Sequence, residues 1–203
     1  MTTLPPRGFS LIELMVVVTI MALMVIMFAP EMATWIANSK VRGTAESLAS
    51  ELRLAQLEAL RRNRQAVFAL TDDAPALNAA PKDNALNWFV RAVPTPDERA
   101  DVGFQTTGLY VHGSQQARLA QVNITGPGLL CFNAMGRPVT PAVSPVGTVS
   151  TCAVPGDAIT PVTYLVERKG ADRSLQIEVA LGGMIRLCDP DKSRANGEAD
   201  ACQ

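Results

Sequence analysis

A chain of 203 residues with 48% hydrophobic side chains has room for one globular domain of ordinary size plus one separate apolar segment, and a second independent domain would be crowded. Lys and Arg number 18 against 19 Asp and Glu, so no global basic field selects nucleic acid or anionic lipid as a partner. The four cysteines, Cys131, Cys152, Cys188 and Cys202, all lie in the C-terminal part without the CxxC spacing of a zinc site or redox dithiol, so no metal or cofactor is expected.

Taken in order, residues 1–8 (MTTLPPRG) read as a leader, held extended by Pro5-Pro6. An ordinary secretory signal is cut after its apolar core, whereas here the small residue Gly8 precedes it. Cleavage at Gly8 therefore leaves the hydrophobic segment on the mature chain. From Leu14 to Ala29 every residue except Thr19 is apolar, and counting back to Phe9 gives roughly the twenty residues that cross a bilayer. Charge returns only at Glu31, just after Pro30. Proline there removes one backbone donor and bends the helix without ending it, so one long helix, kinked near Pro30, is expected to reach about Arg62. Residues 9–30 would be its membrane or filament-core half, and residues 31–203 the globular domain with the helix's second half.

In that second half Val41, Ala45, Leu48, Leu52, Ala55 and Ala59 recur at spacings of three and four, forming one apolar stripe. Glu46, Glu51, Arg53, Glu58, Arg61 and Arg62 fall mainly off it, with Glu58 and Arg62 favourably placed as an i,i+4 pair. Beyond the helix the period changes to two. Gln65–Thr71 and Leu86–Val93 read as strands around a long loop, and Pro94–Gly103 as a further loop. Ala120, Val122 and Ile124 alternate as a third strand, Leu129–Phe132 follows the Gly126-Pro127-Gly128 turn, and residues 139–161 read as an irregular excursion pinned by Cys152. Val162–Glu167, Ser174–Leu181 and Met184–Cys188 complete the strands, the last two closed by a tight Gly182-Gly183 turn. Asp189–Gln203 is a polar tail with Cys202 as its one tie. The expected architecture is α+β, a long N-terminal helix packed on an antiparallel sheet.

Glu13 is the residue that turns this plan into a function. A carboxylate at bilayer depth is costly unless paired, and the partner on offer is the new α-amino group of Phe9, on the same subunit or a neighbour. In a bundle of such helices that attraction would set the axial register of each incoming subunit.

The run Gly8-Phe9-Ser10-Leu11-Ile12-Glu13, with Arg7 before it and Pro30 downstream, resembles the type IV prepilin processing site. The strands that follow, with LLCFNAMGRP and GGMIRLCDP, resemble the minor pilin and pseudopilin group that includes FimU, FimT and GspH. The resemblance implies the type IV pilin fold, cleavage by prepilin peptidase between Gly8 and Phe9, N-methylation of Phe9, and contact of Glu13 with an adjacent N-terminus. It further implies a low-copy minor pilin that joins a priming or tip complex and promotes pilus assembly, twitching motility and adhesion. A GspH-like pseudopilin of type II secretion and a FimT-like DNA-binding minor pilin are the alternatives. The partners would be other minor and major pilins through the N-terminal helix, the prepilin peptidase, and the bacterial inner membrane before assembly, with the globular domain periplasmic. The filament at the cell surface would be the destination.

DNA is the less favoured partner, because Arg186, Lys192 and Arg194 are offset by Asp189, Asp191, Glu198 and Asp200. The Arg61-Arg62-Asn63-Arg64 cluster complements a helix C-terminus before it suggests a phosphate site. His112, the only histidine, sits in a glycine-flanked stretch read as a surface loop, without a nucleophile or carboxylate constellation, so no catalytic role is expected. The four cysteines allow three pairings, of which locality favours Cys131 with Cys152 and Cys188 with Cys202 in an oxidising compartment. Trp35, Trp88 and Phe89 read as interface and core residues.

Overall fold

The computed structural model describes residues 9–101, 109–140, 151–157 and 160–202. Its first element, α1, is a single helix over Leu11–Arg62 that stays helical through Pro30. At 1.5 Å per residue it is about 78 Å long, more than twice what a small domain needs. Its two halves live in different surroundings. None of the apolar residues of Leu11–Ala29 is buried, whereas Val41, Ala45, Leu48, Leu52, Ala55 and Ala59 are almost wholly enclosed. The stripe of small and branched side chains is what lets the sheets approach the helix along one side.

α1 ends in a left-handed turn at Asn63 (φ 49°), where the Asn63 N–H donates to Leu60 O and the Arg64 N–H to Ala59 O. This pattern satisfies carbonyls that the last turn would otherwise leave open. Glu58 holds the same end together. Its carboxylate accepts from Arg61 Nη2 and Arg62 Nε, both at 2.7 Å, and from Arg61 Nε at 3.0 Å. Hydrogen bonding by Arg61 keeps the Glu58 carboxyl below the usual carboxylate range, against a smaller opposing effect of burial. A carboxyl depressed in the folded state stabilises it above the ordinary carboxylate range, and that contribution is lost as pH falls through the depressed value. Glu58→Gln is therefore expected to cost about 1–2 kcal/mol at neutral pH. Urea melts of variant and parent should converge in strong acid; a gap that persists there would contradict this account.

The remaining elements are β1 (Ala66–Thr71), β2 (Asn87–Ala92), α2 (Pro96–Ala100), β3 (Tyr110–Ser114), α3 (Gln116–Ala120), β4 (Asn123–Thr125), β5 (Leu129–Phe132), β6 (Val162–Glu167), β7 (Leu175–Val179) and β8 (Ile185–Cys188). They form two four-stranded sheets, ordered β3-β2-β1-β5 and β4-β6-β7-β8, with every strand pairing antiparallel. The single sheet expected from sequence is thus two, and α1 packs on both. Strand β1 is buried along its whole length because each face meets a different core. Ala66, Phe68 and Leu70 join the α1 side, while Val67 and Ala69 join Phe89, Leu129, Cys131 and Cys152 on the outer side. Phe68 and Tyr164 meet edge to face at 5.7 Å, which couples the two sheets through the inner core.

Four local expectations are corrected. The Pro94–Gly103 loop contains α2, begun by a reciprocal cap in which Thr95 Oγ1 accepts from the Glu98 N–H and the Thr95 N–H donates to Glu98 Oε2. Ala120 belongs to α3, so the alternation with Val122 and Ile124 spans a helix end and a three-residue strand. His112 lies in β3, paired with Val90, and not in a loop. The C-terminal tail is tied by more than Cys202: Asp189 and Ala201 form a bridge, the Asp189 N–H donates to Asp200 O at 2.8 Å, and Arg186 Nη2 donates to Ala201 O at 3.2 Å.

Candidate functional site

Gly8, the proposed end of the leader, lies outside the described residues, as does the rest of residues 1–8. Phe9 and Ser10 lead into α1, whose first turn carries Glu13 as its one acidic side chain. A carboxylate in the first turn complements the helix dipole. Phe9 lies just outside α1, before the extended cap residue Ser10, and Glu13 is the third residue of the helix. From Leu11 to Ala29 the helix is apolar enough to cross a membrane, with mean hydropathy 2.8, and no part of it is covered by the globular domain. So long an apolar surface cannot remain in water; its environment is lipid or other apolar helices.

The two glycine-containing segments singled out in the sequence meet at one residue of α1. Gln56 Nε2 donates to Gly136 O and to Gly183 O, each at 2.8 Å, so both of its N–H groups are used. Gly136 follows β5 and Gly183 closes the β7–β8 hairpin. One amide therefore fastens a turn of each sheet to the helix. Gly136 and Gly183 both have positive φ (74° and 87°), and a Cβ at Gly183 would lie 2.2 Å from Gly136 O. The role of these segments is a packed junction. Around it Leu57, Leu60, Met135, Leu181 and Met184 are exposed.

On the other side of the stripe from Gln56, Glu51 of α1 accepts a hydrogen bond from His112 Nδ1 at 2.7 Å. Burial pushes the Glu51 carboxyl up, with His112 pulling the other way. Both Glu51 and Glu58 are buried, and, seven residues apart on one helix, these carboxylates placed off the stripe by sequence in fact close the same flank of it. Sequence reasoning missed Gln56 and Glu51 as anchor residues, and only the glycines pointed toward one of them.

The structure joins Cys131 to Cys152 and Cys188 to Cys202. The first holds residues around Cys152, with Ala153 bridged to Leu130, over the outer face of β5. The second closes the tail onto β8. Glu178 lies beside this second pair in a grouping that could suit a cation, but both sulfurs are spent in the disulfide and the carboxylate accepts from Arg186 Nη2 at 2.9 Å. The arginines after the stripe are also engaged: Arg61 and Arg62 by Glu58, and Arg64 by Glu98 at 2.6 Å.

A family profile described as type II transport protein GspH matches residues 44–183, and one described as the prokaryotic N-terminal methylation motif matches residues 6–29. The chain belongs to the GspH family. It carries the N-terminal methylation motif, and its helix with antiparallel sheets is the type IV pilin fold. Among solved structures, this GspH-family chain is similar to the type IV minor pilin FimU of Pseudomonas aeruginosa, with 17% identity over 76% of this chain and 92% of that one and a TM-score of 0.50. It is also similar to the minor pseudopilin EpsH from the type 2 secretion system of Vibrio cholerae, with 14% identity over 75% of this chain and 99% of that one and a TM-score of 0.41. No curated protein sequence matches it significantly.

Proposed function

We propose that this chain is a minor pilin that joins the priming or tip complex of a type IV pilus and promotes filament assembly. The observation that carries the proposal is α1 itself: an uncovered membrane-length half, headed by the methylation motif, runs without interruption into the half that holds the globular domain. Such an element serves first as an inner-membrane anchor and then as a shaft that packs with the helices of other minor and major pilins. In this reading prepilin peptidase cuts between Gly8 and Phe9 and methylates Phe9, Glu13 pairs with a neighbouring N-terminus, and Pro30 marks the exit from the apolar layer. The disulfides, Cys131–Cys152 and Cys188–Cys202, suit a periplasmic domain. The role is one of structure and assembly and not of catalysis.

The GspH description supports a second reading, a pseudopilin of type II secretion, which changes the machine and leaves the chemistry the same. Deleting the gene separates them. Loss of surface pili and twitching with secretion intact is expected; loss of exoprotein secretion with pili intact would transfer the chain to the secretion machine, and no change in either would overturn both. A DNA-binding role gains little from the structure, since Arg61, Arg62, Arg64, Arg173, Arg186 and Lys192 all pair with carboxylates.

A further inference from the structure

Between the end of the apolar segment at Ala29 and the first buried residue of α1, Ala37, lies a short, largely exposed stretch of helix in which Thr34 is half-buried. The domain reaches α1 at Ala37, which is buried, and at Asn38, whose Oδ1 accepts from the Asp172 N–H at 3.1 Å. Below that level Met32, Trp35 and Ile36 stand at i, i+3 and i+4 and are 55%, 67% and 44% exposed. At about 100° per residue they share one face, opposite the one that carries Ala37, Val41 and Ala45 into the core. Trp35 also borders a cleft of about 490 Å³ with Asn38, Arg42 and Arg173, yet most of the residue remains open.

We infer that Met32, Trp35 and Ile36 form an interfacial collar that seats this part of α1 in the headgroup layer of a phospholipid bilayer. The inference rests on the reading of Leu11–Ala29 as a membrane anchor. Continuity with that segment identifies the occupant. If the hydrocarbon ends at Ala29, a rise of 1.5 Å per residue places Met32 about 4.5 Å and Trp35 about 9 Å further out. The headgroup layer occupies roughly the first 5–8 Å beyond the hydrocarbon. Helical side chains lean toward the N-terminus of their helix, so the Trp35 ring lies back from its backbone toward the bilayer, into the layer where tryptophan rings sit with their N–H near polar partners. Glu31, at the same level, would lie among headgroups and not in hydrocarbon.

The collar has a consequence for the other end of the helix. From Leu11 to Trp35 α1 rises about 36 Å, close to the roughly 40–45 Å thickness of a bilayer with its headgroups. Fixing Trp35 at one face therefore holds the start of α1, and the Gly8–Phe9 bond next to it in sequence, near the opposite face. A peptidase working at that face would meet its bond at constant depth.

Tryptophan quenching tests this on the full-length chain in vesicles of phosphatidylethanolamine and phosphatidylglycerol. Trp88 is wholly buried in the globular domain and contributes a constant background, which Trp35→Phe isolates. Lipid brominated at shallow chain positions is expected to quench the Trp35 signal at least about twofold more than deeply brominated lipid or aqueous iodide. Quenching by iodide alone, in chain that floats with the vesicles and resists carbonate, would overturn the collar while leaving the anchor standing, and would assign the face to a protein neighbour. Chain that neither floats nor resists carbonate would overturn anchor and collar together.

Discussion

Gly183→Ala is expected to destabilise the globular domain by about 2–5 kcal/mol, the sum of a left-handed backbone penalty of about 1–2 and an overpacking cost of about 1–3. Both terms come from one position. Gly183 has φ 87°, and the added methyl would lie 2.2 Å from Gly136 O and 2.7 Å from Gln56 Nε2. The first neighbour is backbone and cannot swing aside; the second is the amide that fastens both turns to α1. Gly182 supplies the control, since a Cβ there meets nothing within 4 Å and its φ is not positive. Gly182→Ala should stay within about 0.5 kcal/mol of the parent. Unfolding in urea, followed by emission of the buried Trp88, measures both. A Gly183→Ala variant as stable as Gly182→Ala would show that the junction yields, and the account of the two glycine segments would fail. Gln56→Ala adds a further check: because it acts on the same junction, its cost should not add to that of Gly183→Ala.

The extent of α1 was legible because a helix writes its burial into local spacing. Val41 to Ala59 repeat at three and four, and the end at Arg62 follows from arginines meeting a helix C-terminus. Strands β1, β2 and β5–β8 were likewise visible in alternation and in runs bounded by turns. What was hidden depends on distant partners. β3 contains His112 and Gly113 and has an irregular register against β2 between Val90 and Arg91, so pairing and not propensity makes it a strand. α3 is five residues long, too short for a helical period to separate itself from alternation around Val122 and Ile124. Glu51 and Glu58 look like surface charges in sequence because nothing local reveals that His112 and the packed sheets will cover them. The division of the strands into two sheets is equally non-local: the chain leaves the first sheet for β4, returns for β5 and leaves again for β6.

The same contrast applies to function. The apolar half of α1 is readable from sequence because an environment of lipid or packed helices imposes one requirement, an apolar surface, on consecutive residues. The junction at Gln56 is not, since a glutamine flanking an apolar stripe is the ordinary side chain of a solvated helix. Its two carbonyl partners lie 80 and 127 residues away in sequence. The exposed Leu57, Leu60, Met135, Leu181 and Met184 gather at this junction for the same reason, by tertiary convergence and not by periodicity.

Glu13→Ala is expected to spare processing and anchoring and to remove the chain from assembled filaments. The sign of the membrane term makes the experiment informative. An ionisable group inside the bilayer costs up to about 3 kcal/mol at mid-depth and less toward the helix start, so alanine at position 13 makes insertion easier. A loss of incorporation therefore cannot be charged to a poorer anchor. It would come from the missing attraction between the carboxylate and the α-amino group of a neighbouring subunit, which is strongest in the apolar interior of a helix bundle, where water does not screen it. Leaving that amino group buried without its partner adds to the effect. Sheared filaments probed for the subunit should hold at least about tenfold less variant than parent, equivalent to about 1.4 kcal/mol of lost assembly free energy. Membrane fractions should contain equal amounts of mature-sized chain. Glu13→Gln, which keeps size and hydrogen-bonding capacity without charge, separates the electrostatic term from shape: equal exclusion of both variants assigns the effect to charge. Entry of Glu13→Ala into filaments at the parental level would refute the register role of Glu13, whatever the fate of the rest of the helix.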